Sequence, residues 1–458
     1  MALWSLTTLR DIRAARRIDS EFFRPDYVFT EGRVRACNVI DLGRLGGFVP
    51  GPFGSAFHVQ NYDVKSPYRY IRGRDVKPFF LLNDDNRYIP ESDFKRLRQY
   101  EVRNDDLMVS VVGTLGNVSV CTEDDTPAMF SCKSTLLRAL RADPYFLLAY
   151  LNSATGQLCM LRRQRGAIQT GLNIEDLRTI PVPRFGPAIE DELAASVRKA
   201  HSNLFASRDA YETAQQLLEA ELGLDKLAFQ KPRGYTARFS EIGASLRTDA
   251  EFFLPKYQAI IKNIQSKPYT TLGRTFSISR GVCIDPRLYS DREGIAYIRI
   301  KELSLNQALS PEDSIKIPLK HISANYPRAN AGDYVVAVIG ATIGKVNLIN
   351  ERMAMSLYSN NTACLSPKCK IEYPNATELL LRSPCVQQQI QQRMAKTAQE
   401  KIADPELRKI IIPVLDAQLL SKLEQLCESA KMLAHESKHI LTQAKGRVEQ
   451  LIEEAVQP

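Results

Sequence analysis

A long internal repeat constrains this chain more than any other feature of its sequence. The segment 17–27 reads RIDSEFFRPDY, and the segment 247–257 reads RTDAEFFLPKY. Glu21 and Glu251 in these segments lie 230 positions apart. A period of this size is far longer than the roughly 20 to 50 residues of solenoid and propeller repeats. The two halves of the chain are therefore predicted to be two copies of a whole domain.

Four more matches follow in the same order along both copies. They are LGR at 42–44 and 272–274, YIR at 70–72 and 297–299, DDLMVSVVGTLGNV at 105–118 against DYVVAVIGATIGKV at 333–346, and LRTIPVP at 177–183 against LRKIIIP at 407–413. One short match can arise by chance, but five collinear matches indicate a tandem duplication.

Each copy ends in a pattern typical of a long amphipathic helix. In 188–222, apolar or small residues recur at alternating steps of about three and four, and 416–453 has the same spacing. Two such helices of similar length favour packing against each other over two separate surface helices. The residues predicted to form this helix–helix or partner interface are Leu193, Val197, Leu204, Tyr211, Leu218, Leu423, Leu426, Leu433, Ile440 and Val448.

Within each copy the pattern is that of a mixed α+β domain. Short β-branched runs at 109–112 and 335–339 lead into glycine-bounded turns and further β runs, beside helical patterns at 144–151 and 377–394. A chain of 458 residues is too long for one ordinary core. The predicted boundaries are 1–186 for the first domain, 187–230 for the first long helix and its linker, 231–414 for the second domain and 415–458 for the second long helix.

Cysteine usage and hydropathy favour a cytoplasmic protein. The nine cysteines include no CxxC pair, which argues against a structural zinc site and against a disulfide framework. The N-terminal sequence has no apolar signal core, and no run approaches the roughly 18 to 20 apolar residues of a membrane span. The net charge of +9 permits an acidic partner such as nucleic acid without requiring one.

The sequence lacks the usual patterns of catalytic and metal sites. The segment 340–345, GATIGK, has three residues between its glycines where a phosphate loop has four, and Val346 stands where Ser or Thr would bind magnesium. It is predicted to be a turn between strands. His435 and His439 lie four apart on one helical face, but without a carboxylate partner a solvated face is the better explanation. We therefore expect a non-catalytic chain without a metal or cofactor of its own.

Basic and aromatic residues instead gather in two segments predicted to leave the sheet as loops. These are SPYRYIRGRDVKP at 66–78 and RRQRGAIQTG at 162–171, with counterparts at 297–301 and 393–401. Such side chains suit phosphates and base edges, although a solvated strand face explains any one of them equally well. The candidate DNA-binding residues are Arg69, Arg72, Arg74, Lys77, Lys133, Arg165, Gln169, Thr170, Arg299, Lys301, Lys345, Lys396 and Gln399.

This order of motifs resembles the specificity subunit of type I restriction-modification systems, the HsdS family, over essentially the whole chain. The shared motifs are RxDxEFF-P-Y, YIR, the GTxG segment, G-x-x-Q-x-G-L and L-x-x-I-P-V-P before a long helix. The resemblance implies two α+β target recognition domains, each reading one half of a bipartite DNA sequence, separated by two long antiparallel coiled-coil-like helices. It also implies two adenine DNA methyltransferase subunits, which would bring S-adenosylmethionine, and it allows a translocating nuclease.

The two copies differ in segments where such domains would read different bases. Asn117 in the first copy stands where the second has Lys345, and SCK at 131–133 stands where the second has Asn360 and Asn361. We predict a DNA sequence-specificity subunit of a restriction system or of another methylation-based phage-defence system. The alternative is a non-catalytic protein-binding scaffold, and a nuclease is not expected because the sequence lacks a carboxylate cluster.

Overall fold

The protein is described by a computed structural model that covers residues 6–52, 54–166, 170–227, 234–304, 308–395 and 400–456, with the side chain of Val59 left out. These residues form two compact units. Unit 1 comprises the described residues of 1–204 and 435–458, and unit 2 comprises those of 205–434. Each unit therefore includes part of both long helices, and the domain boundaries inferred from the repeat remain predictions.

The helices follow the predicted pattern, with several short additions. They are α1 Leu9–Ala15, α2 Pro25–Ala36, α3 Leu42–Leu45, α4 Glu91–Arg96, α5 Pro144–Leu151, α6 Ala154–Leu161, α7 Ile174–Leu177, α8 Pro187–Leu222, α9 Phe239–Ser245, α10 Pro255–Gln265, α11 Leu272–Thr275, α12 Pro374–Arg382, α13 Pro384–Arg393, α14 Asp404–Arg408 and α15 Ala417–Val456. Helices α8 and α15 confirm the two long amphipathic patterns.

The strands are short, as the β-branched runs predicted. They are β1 Val39–Asp41, β2 Gly47–Pro50, β3 Arg69–Ile71, β4 Phe79–Phe80, β5 Leu107–Ser110, β6 Val118–Val120, β7 Ala128–Phe130, β8 Ser134–Arg138, β9 Pro181–Pro183, β10 Tyr269–Thr271, β11 Phe276–Arg280, β12 Ile295–Ile298, β13 Lys316–Ile317, β14 Arg328–Ala329, β15 Tyr334–Ala337, β16 Val346–Leu348, β17 Ser356–Tyr358, β18 Thr362–Pro367 and β19 Ile411–Pro413.

The sheets of the two units have corresponding strand orders. Unit 1 has a five-stranded sheet in the order β2-β8-β5-β6-β4, and unit 2 has a sheet in the order β11-β18-β15-β16. The pairs β1-β9 and β3-β7 of unit 1 correspond to β10-β19 and β12-β17 of unit 2, where β13 and β14 extend the second pair. The mixed α+β class and the duplication are thus confirmed, with β4, β13 and β14 as the strands that lack a counterpart.

The repeated RxDxEFF motif holds the end of a helix. In unit 1, Arg17 pairs with Asp19 at 2.8 Å and packs over the ring of Phe22. Its guanidinium also donates to the carbonyls of Arg163 (3.3 Å) and Gln164 (2.7 Å), directly after α6. Carbonyls at a helix C-terminus have no donor within the helix, so this arginine satisfies them. The same contacts occur in unit 2 among Arg247, Asp249, Phe252, Arg393 and Met394.

The long helices meet along buried positions that recur every seventh residue, and most of these positions carry small side chains. The buried positions of this repeat are Leu193, Ala200, Ser207 and Ala214 on α8, and Leu423, Ala430, Ser437, Ala444 and Leu451 on α15. In unit 1 the hydroxyl of Ser437 donates to the carbonyl of Ala200 at 2.7 Å, and in unit 2 that of Ser207 donates to the carbonyl of Ala430 at 2.7 Å. A seven-residue repeat of buried positions is the pattern of coiled-coil packing.

The predicted interface residues fall into two groups. The structure buries Leu193, Val197, Leu218, Leu423 and Val448, and it leaves Leu204, Tyr211, Leu426, Leu433 and Ile440 half-buried. On α15 the predicted Leu426, Leu433 and Ile440 are less buried than Cys427 and Ser437, because small side chains fit where two helices approach closely. Whether these residues also bind a partner protein stays a prediction.

Replacing Ala200 with leucine is expected to destabilise the helix pair of unit 1. The added side chain has no room at a fully buried position whose carbonyl accepts a hydrogen bond from Ser437, and overpacking of this kind costs about 1–3 kcal/mol. Urea unfolding measures the change in the free energy of unfolding. Ser202→Leu, at an exposed position of α8, is the control and should change it by less than about 0.5 kcal/mol. Equal stability of both variants would contradict the close packing inferred here.

Candidate nucleic-acid interface

One end of the main sheet in unit 1 collects several loops. Ser110 at the end of β5 pairs with Ser134 at the start of β8, so the loops 111–117 and 131–133 leave the sheet together. The amide of Ser131 donates to the carbonyl of Ile71 at 3.0 Å, which brings the loop after β3 beside them. We call the loops 72–78, 111–117 and 131–133, with their counterparts in unit 2, the loop ends.

Arg69 does not belong to this exposed surface. It is only 5% exposed, and its guanidinium pairs with Asp125 at 2.7 Å and donates to the carbonyl of Leu82 at 2.7 Å. A guanidinium buried with these partners holds strands together and has no face open to a phosphate. The structure therefore contradicts the expectation that Arg69 contacts DNA.

Arg72 and Arg299, the arginines of the two YIR motifs, hold equivalent turns. The side chain of Arg72 pairs with Asp75 at 2.9 Å, and its backbone amide donates to the same carboxylate at 2.8 Å. Arg299 repeats both contacts with Glu302, at 2.5 Å and 2.9 Å. These carboxylates raise the pKa of both guanidinium groups. The side chains of Arg72 and Arg299, which were predicted to contact DNA, are therefore engaged within these turns. A structural role explains why both copies of the domain have an arginine at this position.

Three of the predicted cations in unit 1 are exposed at its loop end. The side chain of Arg74 is 61% exposed and lies 3.7 Å from Asp85, and Lys77 and Lys133 are also exposed. A Cβ atom added at Gly73 would lie 2.8 Å from the Cβ of Lys133, so the two loops that carry these cations touch. The structure thus brings Arg74, Lys77 and Lys133 to one end of the sheet.

The segment after α6 joins the same end. Arg165 and Gly171 exchange backbone hydrogen bonds at 2.9 and 2.8 Å, and the amide of Leu172 donates to the carbonyl of Val111 at 3.0 Å. Thr170 is exposed. The guanidinium of Arg165 pairs with Asp176 (Nη2 to Oδ1, 2.9 Å), and this hydrogen bond raises the pKa of the guanidinium. The negative charge of Asp176 offsets part of the positive charge that Arg165 presents to a ligand. The remaining predicted residues of this segment and its counterpart, Gln169, Lys396 and Gln399, lie outside the described residues.

In unit 2 the predicted cations Arg299, Lys301 and Lys345 line one cavity of about 680 Å³. Carboxylates, including those of Glu302 and Asp313, line it as well. This cavity is therefore mixed in charge and unlike a uniformly basic phosphate groove.

The GATIGK segment forms the predicted turn between β15 and β16. Gly340 and Gly344 have φ angles of 99° and 95°, a region that favours glycine. The side chain that holds this turn is Gln387, which donates to the carbonyl of Gly344 at 2.9 Å. The sequence analysis did not identify this residue. The corresponding pair in unit 1 is Gln157 and Gly116, at 2.8 Å. Each glutamine lies a similar number of positions after its turn, 43 in unit 2 and 41 in unit 1. This similar spacing in the two copies could have identified the pair from the sequence.

The described part of the chain offers few other kinds of site. Within it, no group of three His, Cys, Asp or Glu side chains is arranged to hold a metal ion. No helix in the described ranges is both long enough and apolar enough to span a membrane. His435 and His439 are exposed on α15, as a solvated helix face requires.

Comparisons with known proteins concern the whole chain. No family model matches it, and no curated protein matches it either. Similar solved structures include the type I restriction-modification S subunit from M. genitalium, at 14% identity, covering 92% of this chain and 96% of that one with a TM-score of 0.43. A second, at 16% identity, 92% and 97% coverage and a TM-score of 0.31, comes from work on complex assembly and conformational transition of the type I R-M system. A third is the HsdS subunit from Thermoanaerobacter tengcongensis, at 14% identity, 91% and 96% coverage and a TM-score of 0.30.

Proposed function

We propose that this chain is a DNA sequence-specificity subunit in which each unit reads one half of a bipartite target. One observation carries the proposal: the two loop ends share a backbone scaffold but carry different exposed side chains. The amide of Ser131 donates to the carbonyl of Ile71 at 3.0 Å in unit 1. In unit 2 the amide of Ser359 donates to the carbonyl of Ile298 at 2.9 Å. A repeated scaffold with changed side chains is what two readers of unlike sequences need.

The exposed cations of unit 1 support a role in DNA binding. Arg74 and Lys77 would attach to phosphates, an interaction that weakens steeply with salt because bound counterions are released. Neighbouring polar side chains would then reach base edges in the major groove, where all four base pairs differ in their donors and acceptors. The first contact supplies affinity and the second supplies sequence specificity.

The long helices suit the other half of the proposed role. Helices α8 and α15 would set the interval between the two half-sites and present a surface for two copies of an adenine DNA methyltransferase. That partner would bind S-adenosylmethionine and carry out the methyl transfer, while this chain would supply no catalytic group. A translocating nuclease would join if the complex restricts DNA, and the setting would be the cytoplasm.

The test is modification-sensitive sequencing of DNA from cells that carry this chain with its neighbouring methyltransferase. Cells that lack only this chain are the control. We expect a split motif, with two short specified parts around a fixed gap, that disappears in the control. An unchanged methylation pattern, with the chain still stably bound to other proteins, would contradict the proposal and favour the scaffold function instead.

A further inference from the structure

A tight turn joins β7 to β8 in unit 1 and belongs to its loop end. The amide of Ser134 donates to the carbonyl of Ser131 at 3.2 Å, which closes the turn 131–134. Its two central residues, Cys132 and Lys133, are both exposed. Central residues of such a turn direct their side chains away from the strands they connect.

An equivalent turn joins β17 to β18 in unit 2. The amide of Thr362 donates to the carbonyl of Ser359 at 2.9 Å, and Asn360 and Asn361 are the central residues. Asn360 is exposed and Asn361 is half-buried. We call 131–134 and 359–362 the two reading turns.

The two reading turns place Lys133 and Asn361 at the same backbone position. The carbonyl of Lys133 accepts a hydrogen bond from the amide of Val111 at 2.9 Å, and that of Asn361 accepts one from the amide of Val338 at 3.0 Å. Both acceptors therefore pair with the residue that follows a central strand of the main sheet. The fold holds the two side chains in equivalent places although the residues differ.

Neither side chain is engaged within the described part of the fold. Across the described ranges, no hydrogen bond or ion pair is formed by the side-chain nitrogen of Lys133 or by the side-chain amide of Asn361. Arg72 in the neighbouring loop, by contrast, is paired with Asp75. The fold thus engages Arg72 and leaves the side chains of Lys133 and Asn361 to a ligand.

We propose that Lys133 and Asn361 are equivalent base-reading residues, with Lys133 selecting guanine in one half-site and Asn361 selecting adenine in the other. This inference rests on the proposed function as a specificity subunit. A lysine ammonium donates to the O6 and N7 acceptors of guanine, whereas a carboxamide can accept from N6 and donate to N7 of adenine. The chemistry of each side chain therefore favours a different purine at the same structural position.

The test uses the complete complex with its methyltransferase and reads the methylated motif for Lys133→Asn and Asn361→Lys. We expect Lys133→Asn to reduce the preference for guanine at one position of one half-site by roughly 10- to 100-fold, with the other half-site unchanged. Asn361→Lys should reduce the preference for adenine in the other half-site alone. Both substitutions are at surface turns, and circular dichroism confirms that each variant is folded.

Matched controls are available at the opposite ends of the same strands. Arg141 lies beyond the far end of β8 and Lys370 beyond the far end of β18, and both are exposed. Arg141→Asn and Lys370→Asn should leave both half-sites as they are. A second measurement, binding to short duplexes at several salt concentrations, separates base reading from phosphate contact.

Each outcome decides the inference. A folded Lys133→Asn variant that weakens binding to all sequences equally, with a salt slope smaller by about one, would make Lys133 a phosphate contact and overturn the proposal. Unchanged motifs in both variants would overturn it as well, as would a wild-type half-site without the assigned purine. If the wild-type complex shows no split motif at all, it is instead the proposed function that fails.

Discussion

Replacing Glu378 with glutamine is expected to destabilise unit 2 by about 3–5 kcal/mol, because it removes the carboxylate that pairs with the buried guanidinium of Arg382 and the half-buried ammonium of Lys431. Glu378 on α12 is only 2% exposed and pairs with Arg382 at 2.6 Å and with Lys431 of α15 at 2.5 Å. Its carboxylate also accepts a hydrogen bond from the amide of Leu348 at 2.8 Å. Burial by itself would raise the pKa of this group, but the charges of Arg382 and Lys431 lower it, so the group is ionised at neutral pH.

Hydrogen–deuterium exchange can locate the loss within unit 2. Peptides from 205–434 should lose protection in Glu378→Gln, whereas peptides from 6–186 should change little. Glu372→Gln, at an exposed position of the same unit, is the matched control and should resemble the wild type. At the position corresponding to Glu378, unit 1 has the buried Leu148, so this ionic anchor distinguishes unit 2. If peptides of both units changed equally, Glu378 would not act locally as inferred.

Unit 1 is expected to lose about 3 kcal/mol of stability on acidification through the protonation of Glu31. Glu31 on α2 is buried and pairs with Arg163 at 2.8 Å, Arg162 at 3.0 Å and Arg35 at 3.0 Å. Burial raises the pKa of this carboxyl, but the hydrogen bond from Arg163 and the charges of all three arginines lower it to about 2. Because the folded pKa lies below the ordinary value of 4.5, the stabilisation is present above about pH 4.5 and is lost as the pH falls towards 2.

Urea unfolding between pH 6 and pH 3 measures this dependence. The wild type should become less stable as the pH falls, and Glu31→Gln should remove part of that slope while lowering stability at pH 6, where Arg163 loses its partner. Glu123→Gln, at an exposed position, should keep the slope of the wild type. A slope in Glu31→Gln identical to that of the wild type would show that another group carries the acid sensitivity.

Candidate DNA-binding residues could be predicted only in part, because residue type does not reveal burial. Arg69 and Arg74 are the same residue type five positions apart, yet Arg69 pairs with Asp125 inside unit 1 and Arg74 is exposed. Asp125 lies 56 positions from Arg69, so no local pattern connects them. Comparison of the two copies would have helped, since Arg72 and Arg299 are each followed by an acidic residue three positions later, as a structural turn needs.

The duplication, the mixed α+β class and the two long helices could be predicted from the sequence, because repeats and hydrophobic periodicity are visible along the chain without any knowledge of tertiary contacts. Tertiary structure alone decided that Ser437, a polar residue, lies buried in the helix seam and donates to Ala200. It also decided that the carbonyls of Lys133 and Asn361 accept hydrogen bonds from the amides of Val111 and Val338, each of which follows a central strand. Both results depend on contacts between residues far apart in the chain, and these form only when the helices and strands pack.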